Sequence, residues 1–314
     1  MNLKNKNIAK VVIFVMATLL ILSCGTDNVI KKEDITSEFD ENVLKVVTWN
    51  LKEFPVADYN TLNQLQITIP ELNADIIAVQ EVANTDMLTE LGNLLNDYEV
   101  NSSYHYIQQP GGNFNPVLGY IYNKNRVKVN SRFTIFREYE YRRLFPRHPY
   151  VFDITWQNKN YILINVHLKA MGDNFIDETD PWDEEVRRRD ALDTLHAYII
   201  ENYNYHNVIL LGDFNDEIQE DDSTNVFTAF KYDPNFEFAD YEMTFDSSNY
   251  SYPHWPSHLD HIIISNEMYD AFYKTDSSCY TIKYDQVISG YFTLISDHRP
   301  VIIELDYNTG ENNE

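Results

Sequence analysis

Eight short apolar runs, rich in β-branched and aromatic residues, recur along the chain: Val46–Trp49, Ile76–Val79, Tyr120–Tyr122, Val151–Ile154, Tyr161–Ile164, Val208–Leu211, Ile262–Ile264 and Val301–Ile303. Each has the length and composition of a β-strand rather than of a helix. Several are unbroken stretches of four apolar residues, the pattern of strands covered on both faces by other layers. Helical spacing is confined to two segments. Leu62, Leu65, Ile69 and Leu72 form one, and Leu192, Leu195 and Ile199 the other, in a helix expected to begin near Pro181. Buried strands in this number, with few helices, predict a mixed α/β (α+β) domain over residues 43–308, built as two sheets packed together with helices outside. No internal repeat and no second linker interrupts it, and residues 309–314 read as a tail.

The N-terminus reads separately. Lys4, Lys6 and Lys10 precede an uncharged apolar run from Val11 to Leu22, too short to span a bilayer comfortably, as expected of a secretory leader over residues 1–23. Ile21-Leu22-Ser23-Cys24, followed by Gly25, resembles a bacterial lipobox, which implies lipidation of Cys24. The alternative is an uncleaved membrane anchor; either way the chain is expected to be exported and tethered, in the periplasm or at the cell surface. Residues 24–42 are polar and charged and lack apolar periodicity, as suits a flexible tether. Beyond Cys24 the only other cysteine is Cys279, so no intrachain disulfide is expected.

Composition narrows the function. Of 314 residues, 44% are hydrophobic and 14% aromatic, with only 9 Gly and 11 Pro, which allows a sizeable core. Lys and Arg number 24 against 49 Asp and Glu, a net charge of −25. Adhesion to phosphate backbones or anionic lipid through a broadly basic surface is therefore excluded. A protein of this charge that handles phosphate needs a cation to help.

Polar residues with chemical potential sit at the ends of the expected strands. Asn50 follows the first run, Glu81 the second, His167 the fifth, and Asp213 and Asn215 the sixth; Asp297 and His298 precede the last. Strand ends that share one edge of a sandwich can converge on a single cleft. Taken singly, each is equally well a cap or turn residue.

The set TWNL (48–51), VQEV (79–82), NVHLKA (165–170), GDFND (212–216), HLDHIIIS (258–265) and SDHRP (296–300), in this order, resembles the endonuclease/exonuclease/phosphatase superfamily with its deoxyribonuclease I-like four-layer fold. The resemblance covers about Leu44 to Leu305. It implies a metal-dependent phosphodiesterase in which water attacks phosphorus in line. Glu81, with Asn50 and with Asp297 nearby, is implied as the ligand set for Mg²⁺ or Mn²⁺, whose preference is for hard oxygen donors. Zinc is disfavoured, because His258 and His261 lie three apart on an expected strand and should face opposite ways. His298 is implied as the general base, with Asp260 orienting it as an Asp orients the His of a serine protease triad. Asp213 and Asn215 are implied to orient the water and hold a phosphate oxygen. His167, which resembles the deoxyribonuclease I and sphingomyelinase branches rather than abasic-site endonucleases, would stabilise the phosphate or protonate the leaving oxygen. Phe145-Pro146-Arg147-His148-Pro149 resembles the pattern that makes Arg147 a phosphate contact. One departure stands out: the Glu that partners the corresponding His in deoxyribonuclease I has no counterpart in Asn113-Phe114-Asn115-Pro116, which favours His298–Asp260 as the working base.

Catalytic motifs do not choose a substrate. A nucleic acid, most simply DNA cut by an endonuclease, is one reading; phospholipid headgroups of the sphingomyelinase kind and phosphomonoesters are the others. A non-catalytic surface-binding lipoprotein is the alternative of another class. Arg142, Arg143, Arg147 and Arg187–Arg189 offer a local basic patch, and the aromatic segment Tyr241–Trp255 is expected to line the cleft. The acidic stretch Gly172–Glu185, with Asp173, Asp177, Glu178 and Asp180, raises Ca²⁺ as a weaker possibility. A monomer is the default.

Overall fold

Twelve strands divide equally between two sheets in a computed structural model that describes residues 40–103 and 116–308. The leader, Cys24, most of the tether and the tail lie outside the described residues. The first sheet runs β11 (Ser278–Thr281), β12 (Val301–Asp306), β1 (Val43–Phe54), β2 (Ile76–Val82), β4 (Val117–Asn123), β3 (Tyr98–Ser102). The second runs β5 (Val127–Thr134), β6 (Tyr150–Trp156), β7 (Lys159–His167), β8 (Asn207–Asp213), β10 (Asp260–Ser265), β9 (Phe236–Phe238).

Alternate side chains of each central strand enter different cores, as the pleat requires. Val46, Ile76, Leu163, Ile209, Ile262 and Ile303 meet between the sheets. Their neighbours Val47, Ile77 and Ile302 pack under α1 (Tyr59–Leu72) and α2 (Thr85–Leu94). Ile164, Leu210 and Ile263 pack under α3 (Glu184–Tyr203). The order is helix, sheet, sheet, helix, the four-layer arrangement expected.

Each sheet contains one parallel pair, β1 with β2 and β7 with β8, while its other pairs are antiparallel. A parallel pair needs a crossover, supplied by α1 in one sheet and α3 in the other. The C-terminal ends of all four parallel strands consequently share one edge of the sandwich. β10 and β12 run antiparallel to β8 and β1, so their N-terminal ends arrive at that same edge.

Two polar residues stitch the sheets together. Gln80 on β2 donates to Asn165 Oδ1 on β7 at 2.8 Å, and Asn165 donates back to the carbonyls of Val79 and Gly119 at 3.0 Å. Both side chains are fully buried.

α3 starts later than the sequence suggests. Asp183 caps it by accepting from Val186 N at 2.9 Å, so Pro181 lies in the preceding turn. At the other boundary, Arg126 donates to the carbonyls of Glu41 and Val43 and so ties Asp40–Asn42 to the domain. No helix among the described residues is long and apolar enough to cross a membrane.

Candidate active site

Asp213, at the end of β8, is the centre of the cluster. Its Oδ2 accepts from Asn50 Nδ2 at 2.9 Å and lies 3.5 Å from His167 Nε2 and 3.8 Å from His298 Nε2. Its Oδ1 accepts from Asn215 N at 2.9 Å. Burial, followed by the nearby Asp260 charge, pushes its carboxyl up to about 7. Gly212 makes this turn possible: at φ +148°, a Cβ would lie 2.0 Å from the Val166 carbonyl oxygen on β7.

Glu81 sits at the end of β2. Its Oε1 receives Asn50 Nδ2 at 3.2 Å and its Oε2 receives Glu53 N at 2.9 Å. Asn50 thus bridges Glu81 to Asp213 through its amide nitrogen, while its oxygen accepts from Lys52 N at 2.9 Å. Lys52, Glu53, Glu81 and Asn215 all have left-handed backbones, with φ of 41°, 46°, 58° and 55°. Non-glycine residues adopt this region at a cost, and they cluster where function dictates geometry.

His298 and Asp260 form a dyad. Nδ1 of His298 lies 2.7 Å from Asp260 Oδ2, and Asp260 is fully buried at the start of β10, directly opposite Asp213. Burial alone would lower the His298 pKa, but the Asp260 charge and hydrogen bond override it and push it up to about 10. The His298 backbone is fixed at both ends: Ser296 Oγ accepts its N–H, and Tyr291 donates to its carbonyl while accepting from Trp49 Nε1.

His167 behaves oppositely. Buried, and beside Arg147 and His298, its pKa falls well below the ordinary value, so its ring is neutral at pH 7. Its Nδ1 has no partner among the described residues. The Asn113–Asn115 stretch aligned with the partner Glu of deoxyribonuclease I lies outside them. Arg147 faces Glu81, Asp213 and His167 from the segment before β6, and its guanidinium makes no hydrogen bond among the described residues. Burial lowers its pKa while the Glu81 and Asp213 charges oppose that shift.

Asp297 enters the same cleft, where its Oδ2 pairs with Lys52 Nζ at 2.8 Å. Lys52 carries no signal in the expected motif and was missed; its position three residues after Trp49 is the only hint. The cleft has a volume of about 750 Å³, and Glu81, His167, Asp213, Asn215, Asp297 and His298 all line it. The donor set suits a hard divalent cation. Carboxylates of Glu81, Asp213 and Asp297 line one cleft, where Lys52 and Arg147 supply opposing charge.

Other expectations are corrected. His258 and His261 do not face opposite ways, because His258 precedes β10: both reach Asp240 Oδ2, at 3.1 and 2.6 Å. Each ring nitrogen has a protein partner, His258 Nδ1 accepting from Ser251 N and His261 Nε2 facing the Asp216 carbonyl, although the three side chains lie close enough to hold a metal ion. His261 contacts acceptors on both sides and is held as an imidazolium, with a raised pKa despite its burial.

The basic patch also dissolves. Arg143 pairs with Asp190, and Arg189 with Glu178 and Asp190. Arg188 is buried between Asp216 and Glu185, Arg187 donates to the Arg143 carbonyl, and Arg142 folds over Tyr139. Arg188 reaches the cleft wall but is held there by its two acids, whereas Arg147 lies beside Glu81, Asp213 and His167. In the acidic stretch, Asp173, Asp177 and Asp180 accept from backbone N–H groups two residues ahead, and Glu178 holds Arg189. Among the described residues, none of these four belongs to a cluster able to hold a metal ion, although Asp183, Glu184 and Glu185 at the end of the stretch lie close enough together to form one. Of the aromatic segment, Tyr252 and Trp255 line the cleft, whereas Tyr241 faces another depression beside Phe230 and Phe238.

Solved structures share this architecture. D. rerio TDP2 complexed with a single-strand DNA product superposes with a TM-score of 0.60 at 14% identity, over 84% of this chain and 99% of that one. The human Nocturnin catalytic domain with bound sulfate gives a TM-score of 0.58 at 17% identity, over 84% and 94%. The endonuclease/exonuclease/phosphatase from Bacteroides vulgatus gives 0.58 at 14%, over 84% and 98%. At these identities the likeness establishes the fold. No curated protein sequence matches the chain. The span from Val47 to His298, which begins in the strand leading to Asn50 and ends on the dyad imidazole, matches the Endonuclease/Exonuclease/phosphatase family, and to that family this chain belongs.

Proposed function

We propose that the chain is a divalent-metal-dependent phosphodiesterase that cleaves nucleic acid, most simply as an endonuclease on DNA, from an exported position tethered through lipidated Cys24. One observation carries this reading. Glu81, Asp213 and the His298–Asp260 dyad come from widely separated stretches of sequence, yet they line or back a single cleft.

The chemistry follows from the geometry. His298 presents Nε2 to the cleft while Asp260 accepts its Nδ1–H, so Nε2 is the atom that takes a proton from water. Asp213 and Asn215 orient that water in line with the phosphorus. Arg147 and the N–H of neutral His167 face the non-bridging oxygens, where negative charge builds. Glu81 would hold Mg²⁺ or Mn²⁺, which would supply Lewis-acid polarisation of a phosphate oxygen and positive charge against the carboxylates that keep His298 protonated. Asn50 sets the spacing of Glu81 from Asp213.

Conversion of supercoiled plasmid to nicked circles tests the reading, using the full chain with Mg²⁺, with excess EDTA, and as His298→Ala with Mg²⁺. Cleavage in the first sample alone is expected. Absence of cleavage in all three, with a single-stranded circular DNA also left intact, overturns the nuclease assignment and turns the site to sphingomyelin and phosphomonoesters. Cys24→Ala should move the protein from the membrane fraction to the soluble one.

A further inference from the structure

Trp255 stands at the rim of the cleft with 75% of its surface exposed, an unusual position for the largest apolar side chain. It is not on a slack loop. Tyr252 and Ser257 exchange backbone hydrogen bonds at 3.0 and 3.2 Å, which closes a small hairpin with Trp255 near its tip. The base of that hairpin is built into the catalytic dyad: Ser251 Oγ accepts from Leu259 N and Asp260 N at 3.1 Å, and the Ser251 carbonyl accepts from Arg299 N at 2.7 Å. Tyr252 lies between, its ring 4.8 Å from the His298 imidazole. Met171 lines the same cleft, 81% exposed, with a left-handed backbone of φ 72°. Trp255 has no ring partner among the described residues.

Resting on the nuclease reading above, we infer that Trp255, exposed in the cleft that Met171 also lines, is a stacking platform for an unpaired nucleobase next to the scissile phosphate, and that the enzyme therefore selects single-stranded over duplex nucleic acid. A base can lie on an indole face only when unstacked from its own neighbours, and such stacking is tolerant of base identity. The electrostatics point the same way. A duplex is held mainly by cations along its phosphates, but Arg143, Arg188 and Arg189 are engaged in internal ion pairs. With these three arginines engaged, aromatic contact supplements the contacts made to the reacting phosphate itself. A lipid surface fits less well: the platform shares its cleft with Lys52, Glu53 and Asp297, and an anionic leaflet repels a chain of charge −25.

The test is binding of short fluorescent strands to the full chain carrying His298→Ala, in Mg²⁺. Adding Trp255→Ala should weaken binding of a base-bearing single strand on the order of tenfold. Trp255→Phe should restore most of it. A strand of equal length made of abasic residues should barely respond to either change, and a duplex should bind more weakly than the single strand. Equal weakening of base-bearing and abasic strands, or no weakening, overturns the platform while leaving plasmid nicking by the wild type intact. Failure of the wild type to nick plasmid and of His298→Ala to bind any strand, with sphingomyelin in vesicles hydrolysed and that activity lost in Trp255→Ala, overturns both readings in favour of a membrane contact.

Discussion

His298 Nδ1 lies 2.7 Å from Asp260 Oδ2, and the fully buried carboxylate holds the imidazole in its charged form, with a pKa of about 10. Asp260→Asn removes the main group that favours the imidazolium, so the His298 pKa falls and the rising limb of the pH–rate profile moves to lower pH. The plateau also drops, on the order of 10²- to 10⁴-fold, because the ring loses its orienting acceptor. Initial rates between pH 5 and 10 decide it; an unchanged limb would remove His298 from the role of base. The stability sign is fixed too. Because the folded pKa lies above the ordinary 6.5, the pair's stabilising contribution is complete below pH 6.5 and is lost as pH climbs through about 10.

On the proposed reading Glu81 holds the cation. A ligand that binds only the native state stabilises it, by about 2.7 kcal/mol at a hundredfold excess over Kd. Mg²⁺ should raise the melting temperature of the wild-type chain, and Glu81→Gln should abolish that rise while leaving the metal-free melting temperature nearly unchanged. A full Mg²⁺ response in Glu81→Gln would place the cation elsewhere.

Arg188 ties the α3 helix to the GDFND turn. Its Nε lies 2.6 Å from Asp216 Oδ2 and its Nη2 3.2 Å from Glu185 Oε1, all of them buried. Removing one member of a buried ion pair strands the others, at about 3–5 kcal/mol. Arg188→Ala should therefore show a large drop in urea midpoint. A loss under about 1 kcal/mol would mean that water reaches and solvates the two acids.

Asn165 is predicted to matter for stability and not for catalysis. Asn165→Ala leaves Gln80 and the carbonyls of Val79 and Gly119 without their partner between the sheets, at about 3 kcal/mol in total. Urea unfolding should show this, with kcat per folded molecule preserved. A fall in kcat at full folding would show that the seam sets the position of Glu81.

The eight strands legible in the sequence are the eight interior strands of the two sheets, and the four missed, β3, β5, β9 and β11, are the four edges. The reason is physical. An interior strand is paired on both sides and covered on both faces, so nearly every side chain must be apolar. An edge such as β5, where most positions are exposed, has no such constraint and reads as polar chain. The short α2 helix escaped notice for a related reason: only Leu88 and Leu91 are buried in it, too few to set a period.

The residues of the site were legible because each stands at the end of an interior strand, in a motif whose order along the chain could be read. Apart from the His298–Asp260 pair, implied by the motifs, their partners were not. That His258 and His261 converge on Asp240, that Lys52 closes on Asp297, and that the arginines of 187–189 turn inward depends on where distant segments meet. By itself the sequence determined the interior strands and the chemical groups presented at one sheet edge, since burial and turn chemistry are local demands on residue type. Only the tertiary structure decided which charges neutralise one another and which stay free for substrate, because electrostatic pairing is a property of distance in space.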